Sequence, residues 1–275
     1  MGLFSKKYPF HLGYALGGGG SKGFAHLGAL KVLEEYNLRP DIISGTSAGA
    51  LAGVFYADGY SPDEIIELFK KREFREFAEF SLPRGGGFFK TDGLHHFLKK
   101  NLRAKTFEQL KIPFAAVATD WNRAKTVSFA QGENLVDAVV ASCTVPIVFH
   151  PQFIDDVPYV DGGLLKNFPV SVIRKYCKYV IGINVAPLIP TEEKMTMFGM
   201  AERTFKLMSN SNTLYDRKLC DILIEAKGVE KYAMFNLKDV ETIARIGYQR
   251  ASDKITQPGV RDIIRKCVKY HFMNL

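Results

Sequence analysis

Two rhythms of apolar and polar positions run along this chain. Short apolar runs near residues 11–16, 41–45, 113–119, 125–130 and 179–185 predict strands. Between and after them, apolar residues recur at helical spacing near 21–36, 48–58, 62–72, 92–102, 134–141, 169–176, 193–225 and 258–272. Short strands alternating with helices predict an α/β protein, a three-layer sandwich whose mostly parallel central sheet is flanked by helices on both faces. The chain carries no internal repeat and no low-complexity linker, so one domain is expected over 1–275. In sheets of this kind ligands bind at the carboxyl ends of the strands.

Two glycine-rich blocks fall at such ends. Gly45-Thr46-Ser47-Ala48-Gly49 is a G-x-S-x-G between the apolar run that starts at Asp41 and a helical run from Ala48 to Tyr56. Strand, sharp turn and helix are the setting of a nucleophile elbow. The serine must stand at the tip of a tight turn, and side chains at Gly45 or Gly49 would clash with the neighbouring strand and helix. The helix that follows also points its amide dipoles at the place where negative charge develops. The second block, Gly17-Gly18-Gly19-Gly20-Ser21-Lys22-Gly23, follows Tyr14-Ala15-Leu16 and precedes another helical pattern. Its bare backbone can gather N–H groups on an anion, as a phosphate cradle or as an oxyanion hole. Gly18, Gly20 and Gly23 satisfy G-x-G-x-x-G. The acid that fingerprint wants is best matched by Asp41, which stands at the start of its strand, where a ribose would not lie. The Walker pattern fails because Lys22 follows Ser21 instead of preceding it.

A serine nucleophile needs a base. The histidines are His11, His26, His95, His96, His150 and His271, and none stands in a Gly- or Asp-rich loop. Asp161 stands out instead, at the end of the β-like run Tyr159-Val160 and before Gly162-Gly163, where the backbone can turn and a partner can approach. Asp155 and Asp156 read as a solvated turn.

Together Gly18-Gly19-Gly20-Ser21-Lys22-Gly23, Gly45-Thr46-Ser47-Ala48-Gly49, Ala141-Ser142-Cys143-Thr144-Val145-Pro146 and Asp161-Gly162-Gly163 resemble the patatin-like phospholipase family, in its block order and approximate spacing. The resemblance covers roughly the first 190 residues, and the last 80 or so carry no family block. It implies a patatin-like, lysophospholipase-like fold and a catalytic pair of Ser47 and Asp161 without histidine. It also implies an oxyanion hole at Gly18, Gly19 and Gly20, with the Lys22 amide contributing. Lys22 stands where the family often has Arg. No cofactor and no metal is implied. A model aspartate, with a pKa of about 3.9, is a weak base, so this pair needs a dry, preorganised site.

Composition narrows the rest. The chain has 275 residues, 47% hydrophobic and 24% charged, with a formal net charge of +8. No apolar run is long enough for a transmembrane helix, and Met1–Lys7 lacks a secretory hydrophobic region. Cys143, Cys177, Cys220 and Cys267 are scattered and read as free thiols in a reducing cytoplasm. The basic balance favours contact with an anionic lipid surface, and no nucleic-acid module is present. Residues 74–91 hold five phenylalanines, three glycines and several basic residues, which suits either a greasy rim over an acyl site or a core-facing helix end. The methionines of the 193–225 segment, Met195, Met197, Met200 and Met208, suit either a flexible apolar ligand or the core. The leading expectation is a cytoplasmic serine acyl-ester hydrolase, peripheral to a membrane, acting on phospholipid, lysophospholipid or a related lipid. An acyltransferase and a nucleotide- or phosphate-binding module stand as alternatives.

Overall fold

The computed structural model describes residues 8–81, 86–187 and 196–269. Its main sheet is built from β1 (Phe10–Leu16), β2 (Ile42–Thr46), β5 (Phe114–Asp120), β6 (Lys125–Phe129), β8 (Gln152–Ile154), β9 (Val157–Asp161), β10 (Cys177–Asn184) and β11 (Ile222–Glu225). The order is β11-β10-β1-β2-β5-β9-β8, with β6 hairpinned onto β5. From β11 to β5 the pairing is parallel, while β6, β8 and β9 add an antiparallel flank. A second small sheet joins β3 (Glu79–Phe80), β4 (Gly87–Lys90) and β7 (Ile147–Phe149).

Helices cover the sheet: α1 (Phe24–Glu35), α2 (Ala48–Ala57), α3 (Pro62–Lys70), α4 (Asp92–Asn101), α5 (Leu135–Cys143), α6 (Val170–Arg174), α7 (Met197–Ser211), α8 (Leu214–Arg217), α9 (Val240–Ile255) and α10 (Pro258–Lys269). The central strands are buried on both sides; every residue of β5 is, which explains its unbroken apolar run. Burial of Tyr14, Leu16, Leu30, Leu33, Ile43 and Phe55 ties β1 and β2 to α1 and α2 in one core. Ser61 caps α3 with a reciprocal Ser61–Glu64 capping box and Pro62 in its first turn.

The α/β architecture with a mostly parallel sheet is as the periodicity predicts. Strands β7 and β8 fall where none was expected, and three further stretches differ. The helix expected over 193–225 is α7, then α8, then the strand β11, whose Ile222-Leu223-Ile224 run aligns in parallel with Ile181-Gly182-Ile183 of β10. Helix α9 falls where no element was expected; it packs on α1 at Gly28 and Gly247, each so close that a Cβ would lie within 2 Å of a backbone oxygen. The segment expected as a rim or helix end contains a 3-10 turn (Phe74–Glu76) and the strands β3 and β4, with residues 82–85 outside the described residues.

Candidate active site

Strand β2 ends at Thr46 and α2 starts at Ala48, which leaves Ser47 alone in the turn at φ 53°, ψ −121°. A side chain held there costs on the order of 1–3 kcal/mol and persists only where the surroundings fix it. What fixes it is buried. The Ser47 N–H donates to the Ser142 hydroxyl at 2.8 Å, and that hydroxyl donates to the Val117 carbonyl at 2.6 Å. The flanking glycines are needed for space: a Cβ on Gly49 would lie 2.1 Å from the Leu16 oxygen, and one on Gly45 2.5 Å from the Gly49 oxygen.

The second glycine block follows β1, the parallel neighbour of β2, so both blocks meet at the carboxyl edge of the sheet. A Cβ on Gly18 would stand 3.2 Å from Ser47 Cβ. Gly17 N–H donates to the Ile183 carbonyl, Gly18 N–H to Asn167 and Ser21 N–H to Met234. The Gly18 amide, expected among the oxyanion donors, is therefore directed to Asn167. Gly19 and Gly20 donate to no backbone carbonyl among the described residues. Gly20 has φ +60° and abuts the Met234 oxygen, so a side chain there is excluded twice over. Lys22 is buried in the short turn Gly20–Gly23. His26, fully buried, meets the Gly17 carbonyl through Nε2 at 2.8 Å. Burial lowers its pKa to about 4 against the pull of that hydrogen bond, so the ring is neutral and Nε2–H is the donor.

Asp161 ends β9. Thr46 pairs with Val117 and Asp161 with Ala118, so β5 carries the serine turn on one side and the aspartate on the other at the same level. The Asp161 main chain is pinned by its N–H to the Thr144 carbonyl at 2.9 Å and by the Thr119 hydroxyl on its own carbonyl at 3.2 Å. Oδ1 accepts the Gly163 N–H at 2.7 Å. Oδ2 is buried without a hydrogen-bond partner among the described residues. Full burial pushes this carboxyl up from 3.8 to about 7, against the Gly163 N–H and the neighbouring Ser47 hydroxyl, which favour the ionised form. The hydroxyl is thus close enough to act on the carboxylate, although no bond of regular geometry joins them.

The other candidates separate. Asp41 holds the N–H groups of His11 and Leu12, each at 2.8 Å, away from the site. Asp155 and Asp156 sit at positive φ in the two-residue hairpin between β8 and β9, the solvated turn expected of them. His95 pairs with Asp137, His26 serves the loop, and His271 lies outside the described residues. Residues that sequence reasoning gave no role now have one. Ser142 holds the elbow. Asn167 accepts from Gly18 through its carbonyl, and its N–H donates to Asn212 Oδ1 at 2.8 Å. Asn212 Nδ2 donates to the carbonyls of Gly163 and Leu164 at 2.9 and 3.3 Å, which ties the end of α7 to the loop after Asp161. Ser142 stood inside a quoted block; nothing local marked Asn212.

Ser47 and the Gly18–Gly20 loop open into a cavity of about 180 Å³, walled by Leu51, Phe69, Phe77, Leu94, Phe149 and Phe235, with Arg203, Lys206 and Glu230 also on its lining. Phe74 and Phe77 of the aromatic segment belong to this wall, while Phe80 is exposed. Cys143 lines it too, held as a neutral thiol by burial and by the Asp161 charge. The methionines of α7 neither fill the core nor line the cavity: Met197, Met200 and Met208 face outward, Met195 lies outside the described residues, and α7 presents Phe205, Lys206 and Ser209 inward instead.

An uncharacterised NTE family protein of Mycobacterium tuberculosis is 33% identical over 161 residues, covering 58% of this chain and 44% of that protein. A cUMP-AMP-activated phospholipase of Escherichia coli is 32% identical over 181 residues, 56% of this chain and 55% of its own length. The chain thus spans about half the length of these relatives. Among solved structures, VipD from Legionella pneumophila shares the fold at TM-score 0.51 and 15% identity, over 89% of this chain and 66% of that one. A family model described as patatin-like phospholipase matches residues 14–173, more than half of the sequence, and the chain belongs to the patatin-like phospholipase family.

Proposed function

We propose that this chain is a serine acyl hydrolase of lipid esters, with Ser47 as nucleophile and Asp161 as its only general base. One observation carries the reading: a strained serine on the cavity lining and a wholly buried carboxyl, raised to about 7, meet across β5 with no histidine on that lining among the described residues. A carboxyl near 7 suits proton transfer in both directions at neutral pH, which an ordinary aspartate does not.

Ser47 Oγ attacks the ester carbonyl carbon and its proton passes to Asp161 Oδ2. The carbonyl oxygen takes the negative charge and is met by the Gly19 and Gly20 amides, with the α2 dipole behind Ser47 adding to them. Asp161 returns the proton to the leaving alcohol as the ester C–O bond breaks, leaving an acyl-Ser47 ester. Water then attacks that ester, Asp161 takes its proton, and the fatty acid departs as Oγ is reprotonated. The phenylalanine-walled cavity fits an acyl chain, whose binding holds the carbonyl in place. Cys143 is no competing nucleophile, because its thiolate is suppressed.

Labelling with a fluorophosphonate probe and mass mapping of the adduct tests the assignment. Modification of Ser47 and its loss in Ser47→Ala are expected; full-rate labelling of the Ala variant overturns it.

A further inference from the structure

Helix α7 has two faces with opposite chemistry. Phe205, Lys206 and Ser209 look into the cavity. Positions 197, 200, 204, 207, 208 and 211 fall within an arc of about 100° on the other side. That arc carries Met197, Met200, Leu207 and Met208, all exposed, Met197 by 87%. Helix α8, which follows directly, adds exposed Leu214 and Tyr215, the latter by 64%. Single exposed apolar residues need no explanation, but six on two consecutive helices, one of which lines a cavity with its other face, do.

We propose that this outer face of α7 and α8 docks on an anionic lipid bilayer and seats the rim of the cavity against the lipid. The proposal rests on the lipid-ester reading above and names the surface that meets the substrate's own phase. Three observations favour a bilayer over a protein partner. The helix that carries four of these residues also lines, with its opposite face, the cavity that would receive the acyl chain. Half of its side chains are unbranched, flexible methionines, which adapt to a fluid acyl layer, joined by two leucines and by one tyrosine suited to the headgroup level. Charge complements an anionic surface. Residues 197–218 hold Arg203, Lys206, Arg217 and Lys218 against Glu202 and Asp216. Lys206 pairs with Glu202 at 2.8 Å, Arg217 with Glu225, and Asp216 with Lys166 at 2.7 Å, so four bases against two acids leave the segment a local excess of two positive charges. The chain as a whole carries +8.

The surface is mechanically connected to the chemistry. Asn212, directly after α7, holds the Gly163 and Leu164 carbonyls, and the Gly163 N–H is the donor to Asp161 Oδ1. Helix α7 and the loop that holds Asp161 thus share one anchor, Asn212.

The test is flotation with vesicles of phosphatidylcholine alone and with about 30% phosphatidylglycerol added. Wild-type protein should float with the anionic vesicles, and Met200→Glu/Leu207→Glu should lose partitioning by about tenfold or more. Both substitutions are at exposed positions outside the cavity, so fluorophosphonate labelling and turnover of a soluble short-chain ester should stay at wild-type level. Equal flotation of the two proteins, or none by wild type, overturns the proposal. So does a shift of the double variant from dimer to monomer with vesicle binding unchanged, which would make the face a contact between copies. Flotation needs no turnover, so failure of Ser47 labelling alongside normal flotation would strike the hydrolase reading and leave the surface standing.

Discussion

The backbone N–H of Ser47 is held by the side chain of Ser142, 95 residues away in sequence, at 2.8 Å. That bond secures a positive-φ serine from below while its hydroxyl remains at the cavity. Ser142→Ala takes from the buried Ser47 N–H its side-chain acceptor, so a loss of about 1–3 kcal/mol in urea unfolding is expected. Labelling of Ser47 should slow by more than stability alone accounts for at temperatures where the variant remains folded. Unchanged labelling there would remove Ser142 from the elbow's support.

Asp161 governs pH dependence twice. Its ionised form is the base, so kcat/KM on a soluble ester should rise with pH through about 7. The stability effect has the opposite sign. The folded carboxyl binds its proton up to about 7, while the unfolded one releases it near 3.8, so stability from this group falls as pH rises across that window. The full cost above it is on the order of 4 kcal/mol. Asp161→Asn should lose several orders of magnitude in turnover yet unfold at higher urea than wild type at pH 8, with the gap closing toward pH 4. A variant less stable at pH 8 would contradict the raised carboxyl.

Gly20→Ala must push its methyl against the Met234 oxygen, 2.4 Å away, from a backbone angle that L residues rarely adopt. The loop's two uncommitted amides would shift with it. Turnover should drop on the order of a hundred- to thousandfold, as for loss of an oxyanion donor. Stopped-flow acylation measures it; an unaffected acylation rate would place the oxyanion elsewhere.

Leu51 projects from α2 into the cavity and is only half-buried, so it can be enlarged without invading the core. Leu51→Trp should move the preferred acyl chain of a model ester series to shorter lengths, leaving acetate turnover close to wild type. An unmoved optimum would mean that the chain runs elsewhere.

What could be read from the sequence was what local backbone demands dictate. Gly45 and Gly49 announce a turn in which Ser47 has no room for neighbours, and Gly17–Gly20 announce bare amides after a strand. The parallel α/β layout follows from periodicity for the same reason. Partners brought from a distance left no local trace. Gly18 could not be told from Gly19 and Gly20, because the Asn167 carbonyl that takes its amide is 149 residues on. Helix α9 does carry apolar and small residues at helical spacing, Val240, Ile243, Ala244, Gly247, Ala251 and Ile255, and was legible although no element was expected there; its fit to Gly28 on α1, a relationship between two glycines, is what no window of sequence contains. The α7 methionines read as apolar and therefore inward; only the fold reveals that the helix already has an inward face.

The family match stops at residue 173, and the fold does not. Strand β10 begins at Cys177 and lies between β1 and β11, taking Phe10 through Leu16 in parallel register. Its Ile183 carbonyl anchors Gly17, and the Met234 carbonyl beyond it anchors Ser21. A fragment cut at the family boundary would therefore leave β1 as a bare edge open to pairing with other chains, and would free the glycine loop at both ends. The transplantable unit, for anyone grafting this site into another host, runs at least through α9.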